Sequence, residues 1–495
     1  MTAIRNFRLV PALDRSPRLH AAAQTWWGKV ASLILFGALL WVVGFDWWLE
    51  CTALLFYATF FPFARRWVLV IGSLTAFLHN NYVRSYFERY LSSARLESEL
   101  GRGMNLSVCL FLGSLLVTFG IAWAFSRLKN RGLKYPFAWF LLFLFGLVVF
   151  ASTGRMAPEL RIVLWALILV LSRYAFYIGY TTHEARLENP TPFFFQLGYY
   201  YPFWCGTYLL SFLPIFKGAG HLRRIECKSP EESAVARLKA IKLLIWAAWV
   251  MLFRDLWIRL LYGTPVRTPF LNLLPGSLHV PSLMACLLEA QKGAPYPPLT
   301  EWMAVISSNF TDLLNITVKG GVMIGACRMA GFNALRVTYK VLYARTFVEY
   351  WNRYTYYFKE LMADLFFYPA FLRCFRGHRK FRIFFAVLAA ATFGNCLLHL
   401  LWDIGFVFEL GLRRALVSFV PYILYASIIG TVIGVSYLRT ERQRALPRSG
   451  WFRREVLSRV LVLGFMLHLW PIANWTPQIT LQDYGRFFLS LWGIR

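Results

Sequence analysis

Long apolar runs separated by short, mostly basic segments dominate this chain. A helix needs about 20 apolar residues to cross the hydrocarbon core of a bilayer. Runs meeting or approaching that length recur near 30–48, 51–79, 104–125, 136–151, 159–180, 193–215, 238–261, 299–330, 357–372, 381–406, 415–437 and 455–472. The pattern predicts an all-α fold, a polytopic transmembrane helical bundle of about 10–13 spans. Two runs, 51–79 and 299–330, are too long for one crossing and carry polar breaks, Pro62 and Arg65-Arg66 in the first. They are expected to be kinked or re-entrant, which backbone tolerates only where protein or water satisfies it. The longest polar excursion, 262–298, is rich in Pro and Gly and reads as a surface loop or a short lid. A short interfacial helix carrying Phe487, Phe488, Leu489, Leu491 and Trp492 is expected near the C-terminus. Residues 1–29 read as a basic cytoplasmic tail and 30–495 as a single membrane-embedded domain.

Composition agrees with this reading: 58% of the 495 residues are hydrophobic, and the mean hydropathy of +0.49 is too high for a soluble protein of this size. Lys and Arg exceed Asp and Glu by 53 to 24. In a membrane protein that excess belongs to short loops that orient helices and touch anionic headgroups. No nucleic-acid-binding motif or soluble basic domain accompanies it, so nucleic acid is not an expected partner. The cysteines lie singly with no C-x-x-C pair, which gives neither a zinc site nor a disulfide framework, and no metal is expected.

The run 381–406 contains Asn395, His399 and Asp403, at i, i+4 and i+8. On a continuous helix these share one face and form a polar stripe on an apolar cylinder. Ionisable side chains inside a membrane are costly, which makes them functional candidates. A stripe of this kind serves a catalytic site or a proton or substrate relay in a transporter or flippase. Cys396, three residues before His399, is the nearby thiol, of a kind that is usually inert packing in an apolar helix.

Residues 344–373 mix aromatic and charged groups. Glu349 and Arg353 are spaced to pair, Asn352, Tyr356 and Lys359 are expected along one face, and Glu360 and Asp364 stand one turn apart as like charges. Taken alone, the stretch reads as an interfacial amphipathic helix.

Three segments together, 307–332, 347–369 and 394–403, resemble the membrane-bound O-acyltransferase superfamily, in the order and spacing of its bacterial branch that acylates alginate and teichoic acid. Ser308-Asn309-Phe310-Thr311-Asp312 is similar to a motif of that branch on a broken membrane segment, and Gly331-Phe332 to the Gly-Phe that follows it. Tyr350, Trp351, Arg353, Asp364 and Pro369 fall at positions of its aromatic-Trp-x-Arg stretch, and His399 matches its membrane-embedded histidine. Thr355, Ala363 and Leu400 depart from the branch, while Trp351-Asn352 resembles the Trp-Asn pair of other superfamily members.

The resemblance implies acyl transfer from a thioester, acyl-CoA or acyl carrier protein, to a hydroxyl. Its expected acceptor is an envelope polysaccharide or glycolipid and its acyl group is short, lipid and peptide acceptors being the alternatives. His399 is implied as general base and Asn352 as the amide facing the developing oxyanion. Trp351, Arg353, Tyr356, Asp312, Asn395 and Asp403 are the candidate substrate-binding residues. No cofactor is implied beyond the thioester co-substrate. Arg345, Arg353, Arg373, Arg376, Arg379 and Lys380 form a basic face suited to the donor's phosphates or to membrane lipids. A partner acyltransferase on the far side of a bacterial inner membrane completes the expectation.

Overall fold

The computed structural model describes residues 10–78, 104–130, 135–153, 155–184, 192–200, 202–204, 217, 219–274, 277–443, 450 and 452–494. These residues are helical, with no strand among them and one isolated bridge between Glu226 and Phe332. The chain divides into two compact units, 1–249 with 318–336 and 250–317 with 337–495.

The first unit begins with α1 (Pro17–Gln24) and α2 (Trp26–Val42), bent by 99° where Ser16 and Thr25 each cap a new helix start. Then α3 (Trp48–Phe60) and α4 (Arg65–Leu78) meet at 116° across Pro62. The break expected in 51–79 is there, at the residue that removes a backbone donor. Helices α5 (Met104–Asn130), α6 (Pro136–Ser152) and α7 (Pro158–Glu184) follow, with Trp165 and Phe140 fully buried between them. Arg65 Nη1 reaches Glu226 at 2.6 Å and stands 5.6 Å from the Phe332 ring, so the buried cation is paired. Next to this pair Gly331, at φ +92°, ends a long helix.

The second unit carries α8 (Leu283–Gln291), α9 (Phe347–Tyr354), α10 (Tyr356–Met362), α11 (Tyr368–Arg373), α12 (Arg379–Leu388), α13 (Asn395–Trp402), α14 (Val420–Gln443), α15 (Ser458–Ala473) and α16 (Leu481–Leu491). Three π-helical turns are described in it, Ala363–Phe367 between α10 and α11, Ala389–Gly394 between α12 and α13, and Arg453–Leu457 leading into α15. Its core gathers Tyr350, Phe419, Tyr422, Tyr425, Met466, Tyr484 and Phe487. Helix α16 starts on a reciprocal cap. Asp483 Oδ2 accepts from Thr480 N at 2.9 Å and from Gln291 Nε2 at 3.0 Å, while Asp483 N donates back to Thr480 Oγ1 at 3.3 Å. Burial alone would raise the Asp483 carboxyl, but the hydrogen bonds from Thr480 and Gln291 and the nearby Arg486 hold it below the ordinary carboxylate value. A carboxyl lowered in the folded state stabilises above its unfolded pKa, and that contribution disappears as pH falls through the folded one. Asp483→Asn is therefore expected to lower stability by about 1 kcal/mol near neutral pH and by progressively less as pH falls through the lowered carboxyl pKa, read as thermal unfolding in detergent.

Among the described residues four helices are long and apolar enough to cross a membrane, Glu159–Tyr180, Arg379–Trp402, Val420–Arg439 and Glu455–Ala473, or six if each bent pair is one span. This is fewer than the sequence pattern predicts. One run forms a shorter helix, Pro136–Ser152 of 17 residues, and others fall partly on residues outside the described ones, such as 193–215. Two runs belong to longer helices that carry charge, Pro230–Tyr262 with Arg254, Asp255 and Arg259, and Pro298–Met329 with Glu301, Asp312, Lys319 and Arg328. Pro298–Met329 is also unbroken over its 32 residues, contrary to the kink expected in 299–330. Partners outside the helix take up its polar side chains: Tyr262 Oη donates to Ser307 at 2.8 Å, Trp470 Nε1 to Ser308 at 3.2 Å and Arg254 Nη1 to Asn315 Oδ1 at 3.2 Å.

Candidate active site

Helix α9 presents the first candidate residues. Thr346 caps it by accepting from Glu349 N at 3.1 Å, and Glu349 Oε2 reaches back to Arg345 N at 2.9 Å. That use of Glu349 at the helix start replaces the pairing with Arg353 that the spacing allows. The helix stops at Thr355, whose φ of −145° and ψ of 81° leave the helical region, and Tyr356 N donates to Val337 O at 2.9 Å. Asn352 and Tyr356 therefore belong to different helices and do not continue one face. Lys359 pairs with Glu360 and its Nζ sits 5.1 Å from the Tyr356 ring.

Trp351 and Asn352 line a cavity of about 290 Å³, with Lys359, Glu360 and Asn395 as its other polar members and Met362, Val387, Ile429 and Ile433 among the apolar ones. Asn352 is exposed. Asn395 is only 4% exposed, and Tyr422 Oη donates to its Oδ1 at 3.2 Å, which leaves the amide nitrogen for the cavity. The neighbouring face of α9 sends Tyr350 to a second cavity of about 420 Å³, walled almost wholly by apolar side chains with Asn309 among them.

His399 stands one helical turn beyond Asn395 and is half-buried. Its ring is 4.3 Å, centroid to centroid, from Tyr422 and 5.8 Å from Trp402, and no hydrogen bond to its nitrogens exists among the described residues. His399 is not part of the wall of the 290 Å³ cavity. Asn395 and Tyr422 connect the two. Asp403, one turn beyond His399, is the residue that closes α13, φ −96° and ψ 20°, with its N–H bonded to His399 O at 2.9 Å, and its carboxylate acts on Tyr422.

Asp312 lies near Tyr354, which stacks on Tyr350 at 5.4 Å. Burial first, then Tyr350, Asp312 and Tyr425 nearby, push the Tyr354 phenol well above its ordinary value. Arg353 does not line the cavity, and its carbonyl accepts from Tyr339 N at 2.8 Å. Cys396 packs against the unit's core. The basic residues Arg373, Arg376, Arg379 and Lys380 are exposed at the start of α12. Among the described residues no group of three or more His, Cys, Asp or Glu is arranged to hold a metal ion.

Sequence reasoning missed Tyr422 and Tyr425, which read as ordinary residues of an apolar run. Their spacing on one helix carries no signal that Tyr422 faces a histidine on another, with Tyr425 packed against it. The sequence matches no family model, and comparison with curated proteins gives no match.

Proposed function

We propose that this protein is a membrane-bound O-acyltransferase that moves a short acyl group from a thioester donor to the hydroxyl of an envelope polysaccharide or glycolipid, in a bacterial inner membrane. The observation that carries the proposal is the arrangement of Asn395 and His399. A half-buried imidazole with unbonded nitrogens stands one turn from an amide whose N–H groups face a cavity, and Trp351 and Asn352 line that same cavity. The family resemblance supplies the reaction class, and the apolar runs supply the count of 10–13 spans.

In this reading neutral His399 takes the proton of the acceptor hydroxyl as its oxygen bonds to the thioester carbonyl carbon. The carbonyl oxygen becomes an oxyanion, and an amide N–H fixed beside it stabilises that charge. Asn395 suits this better than the exposed Asn352, because its Oδ1 is already held by Tyr422. Collapse breaks the C–S bond, and the imidazolium returns its proton to the leaving thiolate. Asn352, Trp351 and the Lys359–Glu360 pair are left to contact the donor or acceptor outside the reacting atoms. A cavity of about 290 Å³ lies at the small end of ligand sites and suits a short acyl group.

The transporter reading needs a continuous Asn395–His399–Asp403 relay. Such a relay gives no part to Trp351 and Asn352, which line the cavity with Asn395, and so stands second.

The test is transfer or hydrolysis of radiolabelled acetyl-CoA, longer acyl-CoAs and an acyl carrier thioester by purified protein in detergent. Asn395→Ala is expected to lower kcat by about 10²-fold or more, and Asn352→Ala to act mainly on KM. Turnover absent with every thioester, together with uptake of a labelled solute into proteoliposomes, would replace the enzyme by the transporter.

A further inference from the structure

We infer that Tyr422 is the positioning residue of the site, one side chain that fixes both the amide and the imidazole from a separate helix. The inference rests on the acyl-transfer reading for its kinetic consequence, while its structural content stands apart from it.

A catalytic histidine is ordinarily oriented by a hydrogen bond to the ring nitrogen that does not face the substrate, usually from a carboxylate or a backbone carbonyl. His399 has no such bond among the described residues. The carboxylate in sequence reach, Asp403, sits at the end of α13 and touches His399 through its backbone N–H alone among the bonds that join the two. Two rings instead flank the imidazole. Trp402 lies edge-on at 5.8 Å with an interplanar angle of 87°, and Tyr422 lies closer, at 4.3 Å and 37°. Tyr422 is 3% exposed and part of the unit's core, flanked by Phe419 at 5.3 Å and Tyr425 at 5.4 Å. It is fixed on both sides before it meets the histidine.

The hydroxyl of the same residue donates to Asn395 Oδ1 at 3.2 Å. An amide whose oxygen is occupied cannot rotate to offer that oxygen, so its nitrogen stays toward the cavity. The phenol ring therefore sets the plane of the imidazole, and its hydroxyl sets the direction of the amide. Both groups that act on the reacting atoms take their orientation from one side chain on α14. Neither contact is available within α13 itself, because a helix brings only i±3 and i±4 neighbours together.

Two variants separate the functions of the ring and the hydroxyl. Tyr422→Phe keeps the ring and frees the Asn395 amide. It is expected to lower kcat about 10²-fold, as a misplaced reacting group does, with KM for the thioester unchanged. In an Asn395→Ala background the same change is expected to cost little further, since the hydroxyl acts through Asn395. A purely structural tyrosine would give a wild-type kcat in Tyr422→Phe, or the same loss in both backgrounds, and either result overturns the inference.

The second measurement needs no turnover. In protein labelled with ¹⁵N-histidine in detergent, the His399 ring signal is identified by its loss in His399→Gln. Tyr422→Leu is expected to shift and broaden that signal by removing the adjacent ring current, while the other histidine signals hold their places and report an intact fold. An unmoved His399 signal overturns the inference even if the enzyme is active. If wild-type protein transfers no acyl group yet the His399 signal responds, the acyl-transfer reading fails and the positioning by Tyr422 survives.

Discussion

Replacing His399 by alanine is expected to lower acyl transfer by about 10²–10⁴-fold, the range general base catalysis supplies, with an unchanged size-exclusion profile. No hydrogen bond among the described residues depends on the His399 side chain, so the truncation leaves no partner unsatisfied and its effect on folding is small. It removes ring contacts to Tyr422 and Trp402 in a partly open position. Free imidazole added to the alanine variant is expected to restore part of the rate, because the void beside Tyr422 has the size and stacking surface of the lost ring. A folded His399→Ala protein that turns over at the wild-type rate would remove the base from the mechanism and with it the proposed function.

The second large effect is on stability. Helices α12 and α14 approach each other through Gly430 and Gly434, four residues apart on α14, the small-xxx-small spacing that lets membrane helices pack closely. A Cβ on Gly430 would come within 2.2 Å of Thr392 Oγ1, and one on Gly434 within 2.6 Å of Phe384 Cδ2. Thr392 is not free to turn aside without loss, since its hydroxyl donates to Ala426 O at 3.0 Å. Gly430→Val is expected to cost about 1–3 kcal/mol by overpacking, and about 1 kcal/mol more for the lost hydrogen bond. Thermal unfolding in detergent measures this. Because Tyr422 lies two turns before Gly430 on the same helix, the variant is also expected to lose activity even where it stays folded. A Gly430→Val protein as stable as wild type would show that the helices are not held at this point.

The sequence makes the apolar spans 381–406, 415–437 and 455–472 visible because hydropathy over about 20 residues is enough to find them. It also shows Asn395 and His399 on one face, since i, i+4 spacing is local. The end of α13 before Asp403, the stop at Thr355 and the unbroken helix Pro298–Met329 lie beyond that reach. Ser307, Ser308 and Asn315 look like breaks until Tyr262, Trp470 and Arg254 are seen to meet them. Tyr422 lies 27 positions from Asn395 and declares itself only once two helices are packed. Tertiary partners decide each of these cases, and periodicity does not encode them.

The π-helical turn at Ala389–Gly394 separates two tasks that one rod would have to share. A regular helix turns by roughly 100° per residue, so the extra residue of a wide turn swings everything after it to a new compass bearing. The half before it faces Gly434 through Phe384, while the half after it is free to aim Asn395 and His399 at Tyr422. Deleting Ala391 would take one methyl from the cavity wall and leave every charge in place, yet dial the amide and the imidazole about a quarter-turn away from their partner. In this helix azimuth, set by one surplus residue, is what turns Asn395 and His399 toward Tyr422 while the half before it packs on Gly434.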